Sequence, residues 1–226
     1  MNTRWFVVSV ALLAAGVGAC EAAIIAEWTF ETSQPSGSGQ SITGISPEVG
    51  SGSASGYHSS SSTTWDNPVG NGSGESFSAN YWAIGGYFQF QSSSLGYRNT
   101  VLTWDQTRSS TGPTNFMLSY STDGSSFVDA YSYTVANKDW SSSSYTSASH
   151  NSLDLSSVTS LNNASSIYFR LVATTAPGGT SGTSRNDNFT ISADVVPEPV
   201  NVALVVFGGI AGTAWAVRRF VFRRKE

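Results

Sequence analysis

Phe116-Met117-Leu118-Ser119-Tyr120-Ser121-Thr122-Asp123-Gly124-Ser125-Ser126-Phe127 alternates apolar and polar residues up to an Asp-Gly pair. Period-two alternation marks a half-buried strand, and Asp-Gly supplies the positive-φ pair that a type I′ hairpin turn needs. With Asp123-Gly124 as the turn, the expected register sets Tyr120 opposite Phe127, Leu118 opposite Asp129 and Phe116 opposite Tyr131. One face then collects Phe116, Leu118 and Tyr120 for a core and leaves Met117 and Ser119 on the other.

The same pattern recurs outward from this hairpin. Ile167, Phe169 and Leu171 alternate with Tyr168, Arg170 and Val172, and Phe189 and Ile191 alternate with Asn188, Thr190 and Ser192. Residues 24–30, 81–91, 100–107, 116–121, 127–135, 167–173 and 189–194 give at least seven strands, separated by Gly, Pro, Ser and Asn clusters. Residues 34–56 are Ser/Gly-rich and read as a connection. Helical periodicity is almost absent, so the fold class is all-β. Two antiparallel sheets packed face to face, a jelly-roll-like β-sandwich, would absorb this pattern. No repeat of blade length argues for a propeller.

The two ends of the chain differ from its middle. Arg4, the uncharged run 5–19 and small residues around Cys20 and Ala22 make residues 1–22 a secretory signal peptide. A second reading takes Val17-Gly18-Ala19-Cys20 as a lipoprotein box with Cys20 lipidated. Cys20 is the only cysteine, so no intramolecular disulfide can form. At the other end, residues 200–217 carry no charge and span about 27 Å as a helix, close to a bilayer's hydrocarbon thickness. Arg218, Arg219, Arg223, Arg224 and Lys225 follow, which places the C-terminus in the cytoplasm and the preceding domain outside. Between these ends, residues 23–195 have a length suited to one domain. That domain holds five basic residues against twelve acidic ones, net −7, which argues against a nucleic-acid partner.

Val196-Pro197-Glu198-Pro199, the apolar Gly-rich span and the Arg-rich end resemble, in that order, the PEP-CTERM sorting signal of exported bacterial proteins, over residues 196–226. The resemblance implies an exosortase-type membrane protease as partner. It also implies an inner-membrane-anchored precursor, processed at the motif and then delivered to the cell surface or extracellular matrix. The residues suit recognition, because Pro197 and Pro199 hold Glu198 in an extended segment. Glu27-Trp28-Thr29-Phe30-Glu31, Thr111-Gly112-Pro113 and Arg185-Asn186-Asp187-Asn188-Phe189-Thr190-Ile191 resemble the extracellular domain that precedes such tails, in turn similar to jelly-roll carbohydrate-binding modules. That second resemblance implies a structural calcium with Glu31 and Asp187 in its shell, completed by carbonyls or Asn186, since calcium takes six to eight oxygens. The competing reading is a pair of solvated carboxylates at strand ends.

Catalytic constellations are scarce. The only histidines, His58 and His150, sit in no zinc-ligand or hydrolase pattern and read as loop residues. Glu31, Glu48, Glu75 and Asp105 are carboxylates that two-carboxylate glycoside chemistry would need to pair. Trp65, Tyr81, Trp82, Tyr87, Trp104 and Trp140 are candidates for core packing or for sugar stacking. Trp65 and Trp140 are preferred for stacking because each lies in a Ser/Thr/Asn/Asp-rich loop.

Three function classes follow. The first is a non-enzymatic structural protein of the bacterial surface or polysaccharide matrix, the second a carbohydrate-binding surface module, and the third a glycan-active enzyme. The sorting reading predicts that mass spectrometry of the mature protein from its native host finds no peptide containing Trp215 or Arg224. Intact chains as the dominant form would instead mean a permanent single-span protein.

Overall fold

The computed structural model describes residues 22–196. Cys20 and the rest of the N-terminal segment lie outside the described residues, as do the Pro197-Glu198-Pro199 motif, the apolar span and the basic cluster. Among the described residues no helix is long and apolar enough to cross a membrane.

The first half of the chain supplies β1 (Ala22–Trp28), β2 (Gly37–Ser38), β3 (Ser41–Ile45), β4 (Val49–Gly50), β5 (Ser53–Tyr57), β6 (Thr64–Asp66) and β7 (Phe77–Ala79). Then come β8 (Tyr87–Ser92), β9 (Tyr97–Arg108), β10 (Asn115–Ser121), β11 (Val128–Thr134), β12 (His150–Asp154), β13 (Ile167–Ala173) and β14 (Ser184–Val195). An eight-stranded sheet runs β12-β9-β14-β7-β6-β2, with β1 pairing β14 and β4; a six-stranded sheet runs β11-β10-β13-β8-β5-β3. Every pairing is antiparallel.

Alternation drives the packing. Ile167, Phe169, Leu171 and Ala173 of β13 are fully buried while Tyr168, Arg170 and Val172 are half-exposed on the other face. Phe88 and Phe90 of β8 and Phe116 and Leu118 of β10 join them from neighbouring strands. The eight-stranded sheet answers with Trp28, Phe77, Leu102, Trp104, Phe189 and Ile191. Where the sheets meet, the rings of Phe90 and Phe189 stack at 3.6 Å with 3° between their planes. Trp28 packs edge-on against both, at 5.3 and 6.1 Å.

Three expectations are corrected. Residues 34–56 contain β2, β3, β4 and part of β5 rather than a bare connection. A strand there needs no large inward side chains, because rings from elsewhere fill the space. A Cβ built on Gly56 would stand 2.4 Å from Trp65 Cζ3, and Ala54 beside it is fully buried. Second, β8 starts only at Tyr87, since Tyr81 (φ 51°) and Gly85 (φ 88°) turn the backbone out of extended conformation. Third, the hairpin register differs. Tyr120 pairs Val128, Leu118 pairs Tyr131 and Phe116 pairs Tyr133, with an irregularity between Leu118 and Ser119.

The hairpin difference has a local cause. Ser121 Oγ accepts the N–H groups of Asp123 and Gly124, and Asp123 Oδ1 accepts those of Ser125 and Ser126 at 2.8 and 2.7 Å. Side-chain acceptors thus organise a longer loop in place of the two-residue turn. Only Gly124, at φ 74°, adopts positive φ there. Phe116 and Leu118 nevertheless face the core as expected.

Phe189→Ala removes the ring that joins the two sheets. It is expected to destabilise the fold by about 3–5 kcal/mol, with little change in urea m-value. A loss under about 1 kcal/mol in urea unfolding would contradict the packing described.

Candidate functional site

The outward face of the six-stranded sheet carries aromatic rings that the core does not consume. Strand pairing sets Tyr57 of β5 beside Tyr87 of β8, and Tyr87 beside Val172 of β13. One residue pair further along, Ser55, Gln89, Arg170 and Ser119 lie side by side across β5, β8, β13 and β10. Arg170 Cζ lies 4.1 Å from the Tyr87 ring centroid and 3.7 Å from that of Phe127, so the guanidinium is held between two rings. Its Nε donates to Gln89 Oε1 at 2.7 Å. Tyr57, 41% exposed, lies 5.7 Å from Tyr87 at an interplanar angle of 32°. Tyr57, Tyr87, Arg170 and Phe127 thus form one ladder across the sheet, flanked by Gln and Ser side chains.

This arrangement is fixed from several directions. Burial pulls the Arg170 guanidinium below its ordinary pKa, partly offset by Tyr87. Cation–π contacts of this kind contribute roughly 0.5–2 kcal/mol depending on desolvation. Gly124 lies against Tyr168: a Cβ there would stand 3.1 Å from the Tyr168 ring. The 122–127 loop therefore closes one end of the face and delivers Phe127 to Arg170. Arg170 covers one face of the Tyr87 and Phe127 rings, so the ladder leaves open the exposed Tyr57 ring, ring edges and the flanking amide and hydroxyl groups.

The indoles preferred for stacking lie elsewhere. Trp65 is 1% exposed, enclosed by His58 at 4.7 Å and Phe77 at 5.8 Å, with Nε1 donating to Gly39 O. Trp140 is 6% exposed and donates Nε1 to Ser149 Oγ at 2.9 Å. Neither offers an open ring face: Trp65 lies in strand β6 with its ring in the core, not in a loop, and Trp140 is buried with its indole N–H on Ser149. Trp82 and Trp104 are core residues too. Of the six aromatic candidates, Tyr87 is the one in the ladder. Arg170, Phe127 and Tyr57 carry no local sequence signal, and only the sheet order brings them together.

His58 is part of the core rather than a loop residue. It is fully buried against Trp82 at 4.1 Å and donates Nδ1–H to Asn80 O at 2.9 Å, while Nε2 has no partner. Burial pulls its pKa down to about 4. His150 instead donates Nδ1–H to the buried Asp105 Oδ1 at 2.9 Å.

Glu31 and Asp187 converge on the loop between β6 and β7. Asp187 Oδ2 accepts Asn71 N–H at 2.8 Å and the Ser73 hydroxyl at 2.7 Å, and its Oδ1 accepts Asn188 N–H at 2.8 Å. Glu31 Oε1 accepts Glu75 N–H at 2.8 Å. Asp105, opposite Asp187 on β9, takes four donors, from His150, Tyr145, Asn71 and Asn188. Burial pushes Asp187 up to about 7, with the neighbouring Asp105 charge adding to it.

These surroundings do not fit the implied calcium. A calcium ion needs converging acceptor oxygens, whereas N–H and O–H donors face both carboxylates. Among the described residues no group of three or more His, Cys, Asp or Glu side chains could hold a metal ion. Glu31 and Asp187 anchor a loop instead. Of the carboxylates weighed for glycoside chemistry, Glu31 and Glu75 meet on this loop through Glu75's backbone, and Asp105 is sealed beneath its four donors.

No family model and no curated protein matches the chain. Among solved structures, the K1 adhesin domain of Lys-gingipain from Porphyromonas gingivalis W83 is similar at TM-score 0.40 and 12% identity, covering 58% of this chain and 83% of that one. The K2 adhesin domain of the same protein gives 0.41 and 13%, covering 73% and 96%. A family 30 carbohydrate-binding module of a Clostridium thermocellum cellulosomal cellulase gives 0.38 and 14%, covering 74% and 97%. Similarities this low carry no argument about the chain's activity.

Two separate buried groups, Asp187 and His58, make a pH prediction. Between about 3.8 and 7 the unfolded chain releases the Asp187 proton that the folded state keeps, so this group lowers stability as pH rises. Between about 6.5 and 4 the unfolded chain binds a proton that folded His58 refuses, so this group lowers stability as pH falls. The slopes oppose each other over pH 4 to 6.5. Asp187→Asn should therefore unmask a loss of stability toward acid, and His58→Gln a gain, in melting temperature against pH. Identical profiles for both variants and the parent would contradict these burials.

Proposed function

We propose that this chain is an exported bacterial surface or matrix module that holds a neutral polysaccharide without transforming it. The observation that carries the reading is the Tyr57–Tyr87–Arg170–Phe127 ladder on the outward face of the six-stranded sheet. Its rings supply apolar area, and Gln89, Gln91, Ser53 and Ser55 supply edge-on polar partners on the same face. An extended strip across parallel rows of side chains suits several sugar units of a chain better than a single one.

Delivery to that place rests on the sequence. The signal peptide and the PEP-CTERM-like tail support export, temporary anchoring in the inner membrane and release by an exosortase-type protease. Within the domain, Ala22 pairs Asp194, so both ends of the sandwich's chain leave from one pole. The purely structural reading, a matrix protein with no ligand, and the enzymatic one remain as outcomes of the test.

The full chain, purified in mild detergent, is expected to bind neutral oligosaccharides saturably on a glycan array. Tyr57→Ala and Tyr87→Ala should each weaken binding about tenfold or more, the equivalent of about 1.4 kcal/mol. Trp65→Phe should leave affinity unchanged. A blank array would favour the structural reading, and shortened sugars in the eluate would favour an enzyme.

A further inference from the structure

The domain carries only five basic residues, Arg98, Arg108, Lys138, Arg170 and Arg185, against twelve acidic ones. Three of the five, Arg108, Lys138 and Arg185, line one pocket of about 400 Å³. With Asp139 the only acid in its wall, the pocket is net positive on a domain of net −7. Such a concentration sets up a local field opposite to that of the whole domain.

Both guanidiniums are fixed at the wall. Arg108 donates Nε to Val135 O and Nη1 to the carbonyls of Ser109 and Ser110 at 3.0 and 3.1 Å, and those two serines line the pocket. Arg185 donates Nη1 to Val69 O at 3.4 Å, and Val69 lines it as well. Asp187, two residues on, grips Asn71 and Ser73 of the same loop as Val69, so that wall is held in place. The Lys138 backbone is pinned in both directions to Thr107, Lys138 N donating to Thr107 Oγ1 and Thr107 Oγ1 to Lys138 O at 3.0 and 2.7 Å. Among the described residues no carboxylate stands within ion-pair distance of these three cations. The charges of Asp139 and Asp66 act on Arg185 without such a contact.

The remaining wall is suited to a sugar. Trp140 lines the pocket as well, with its N–H committed to Ser149. Ser109, Ser110 and Asn137 add hydroxyl and amide groups. A volume of several hundred Å³ takes a saccharide unit and is far larger than a bare inorganic anion needs. Arginine forks match a carboxylate's two oxygens, and Arg185 has only one nitrogen engaged, which leaves donors for that match.

We infer that this pocket binds the carboxylate of a uronic acid unit, giving the module a second, charge-selective saccharide site at the pole away from Ala22 and Asp194. Arg185 is the second residue of β14 and Val195 its last, so the site stands up to about 33 Å along the strand from the point where the chain leaves the domain. The site is independent of the ladder, and its test separates the two.

The full chain in mild detergent would be titrated calorimetrically with trigalacturonate, with the carboxyl-reduced neutral trimer and with inorganic phosphate. Trigalacturonate is expected to bind, to weaken at least about fivefold between about 0.05 and 0.5 M NaCl, and to be unaffected by Tyr87→Ala. Lys138→Gln and Arg185→Gln should each weaken it several-fold while the melting temperature stays near that of the parent. Should Arg185→Gln melt early, the exposed Lys138→Gln decides. No trigalacturonate binding, equal binding of the reduced trimer, or binding untouched by Lys138→Gln would overturn the inference. Phosphate that binds as tightly as the trimer and displaces it would overturn it too, by showing a site for any anion. Loss of ladder binding in Tyr87→Ala with trigalacturonate binding intact would support two sites.

Discussion

Everything in this domain depends on two sheets closing over a layer of aromatic rings, because no disulfide can hold them together. Phe189 sits at the centre of that layer, stacked on Phe90 and flanked by Trp28 and Trp104 from neighbouring strands. Each such aromatic contact contributes about 0.5–1.5 kcal/mol beyond the area it buries. The demand for rings is large enough to draw in Trp65 and Trp82 with His58 between them. The consequence for function is direct. Indoles committed to the core offer no open face to a ligand, and the rings left on the outer face of the six-stranded sheet are those of Tyr and Phe.

A second constraint acts at one end of the sandwich. Asp187, Asp105 and His150 lie in one row across β14, β9 and β12. Two aspartates side by side need many donors, and Asn71, Ser73, Asn188, Tyr145 and His150 supply them. The result is a polar clasp that holds the β6–β7 loop and the segment around Tyr145 to the sheet. Leaving either carboxylate without its donors would cost on the order of a few kcal/mol. Through Val69 the same clasp shapes the wall of the basic pocket.

Much of the fold is legible in the chain. Alternation locates β13 to the residue and identifies Phe116 and Leu118 as core, since period two follows from strand geometry alone. What escapes is whatever depends on partners distant in sequence. β5 buries Ala54 and Gly56 because Trp65 supplies the bulk from another strand, so a Ser/Gly-rich stretch looks like a loop. Asp123 caps its own loop with a side chain, which a turn rule based on backbone angles alone does not anticipate. Glu31 and Asp187 are expected to share a calcium shell, and what brings them together instead is one loop, whose donors at residues 71–75 face both carboxylates. Arg170 and the three pocket cations are spread over the sequence, and only strand order shows that one is clamped by rings and three share a cavity.

The central claim is that the outward face of the six-stranded sheet, rather than any indole, holds a sugar chain and leaves it intact. Carbene footprinting of the full chain, read by mass spectrometry with and without a neutral oligosaccharide that binds, tests this most directly. The account predicts reduced labelling at Tyr57, Tyr87 and Phe127, unchanged labelling around Asp105 and His150, and recovery of the oligosaccharide at its original length. Protection confined to other surfaces, or shortened oligosaccharide in the same sample, would contradict it.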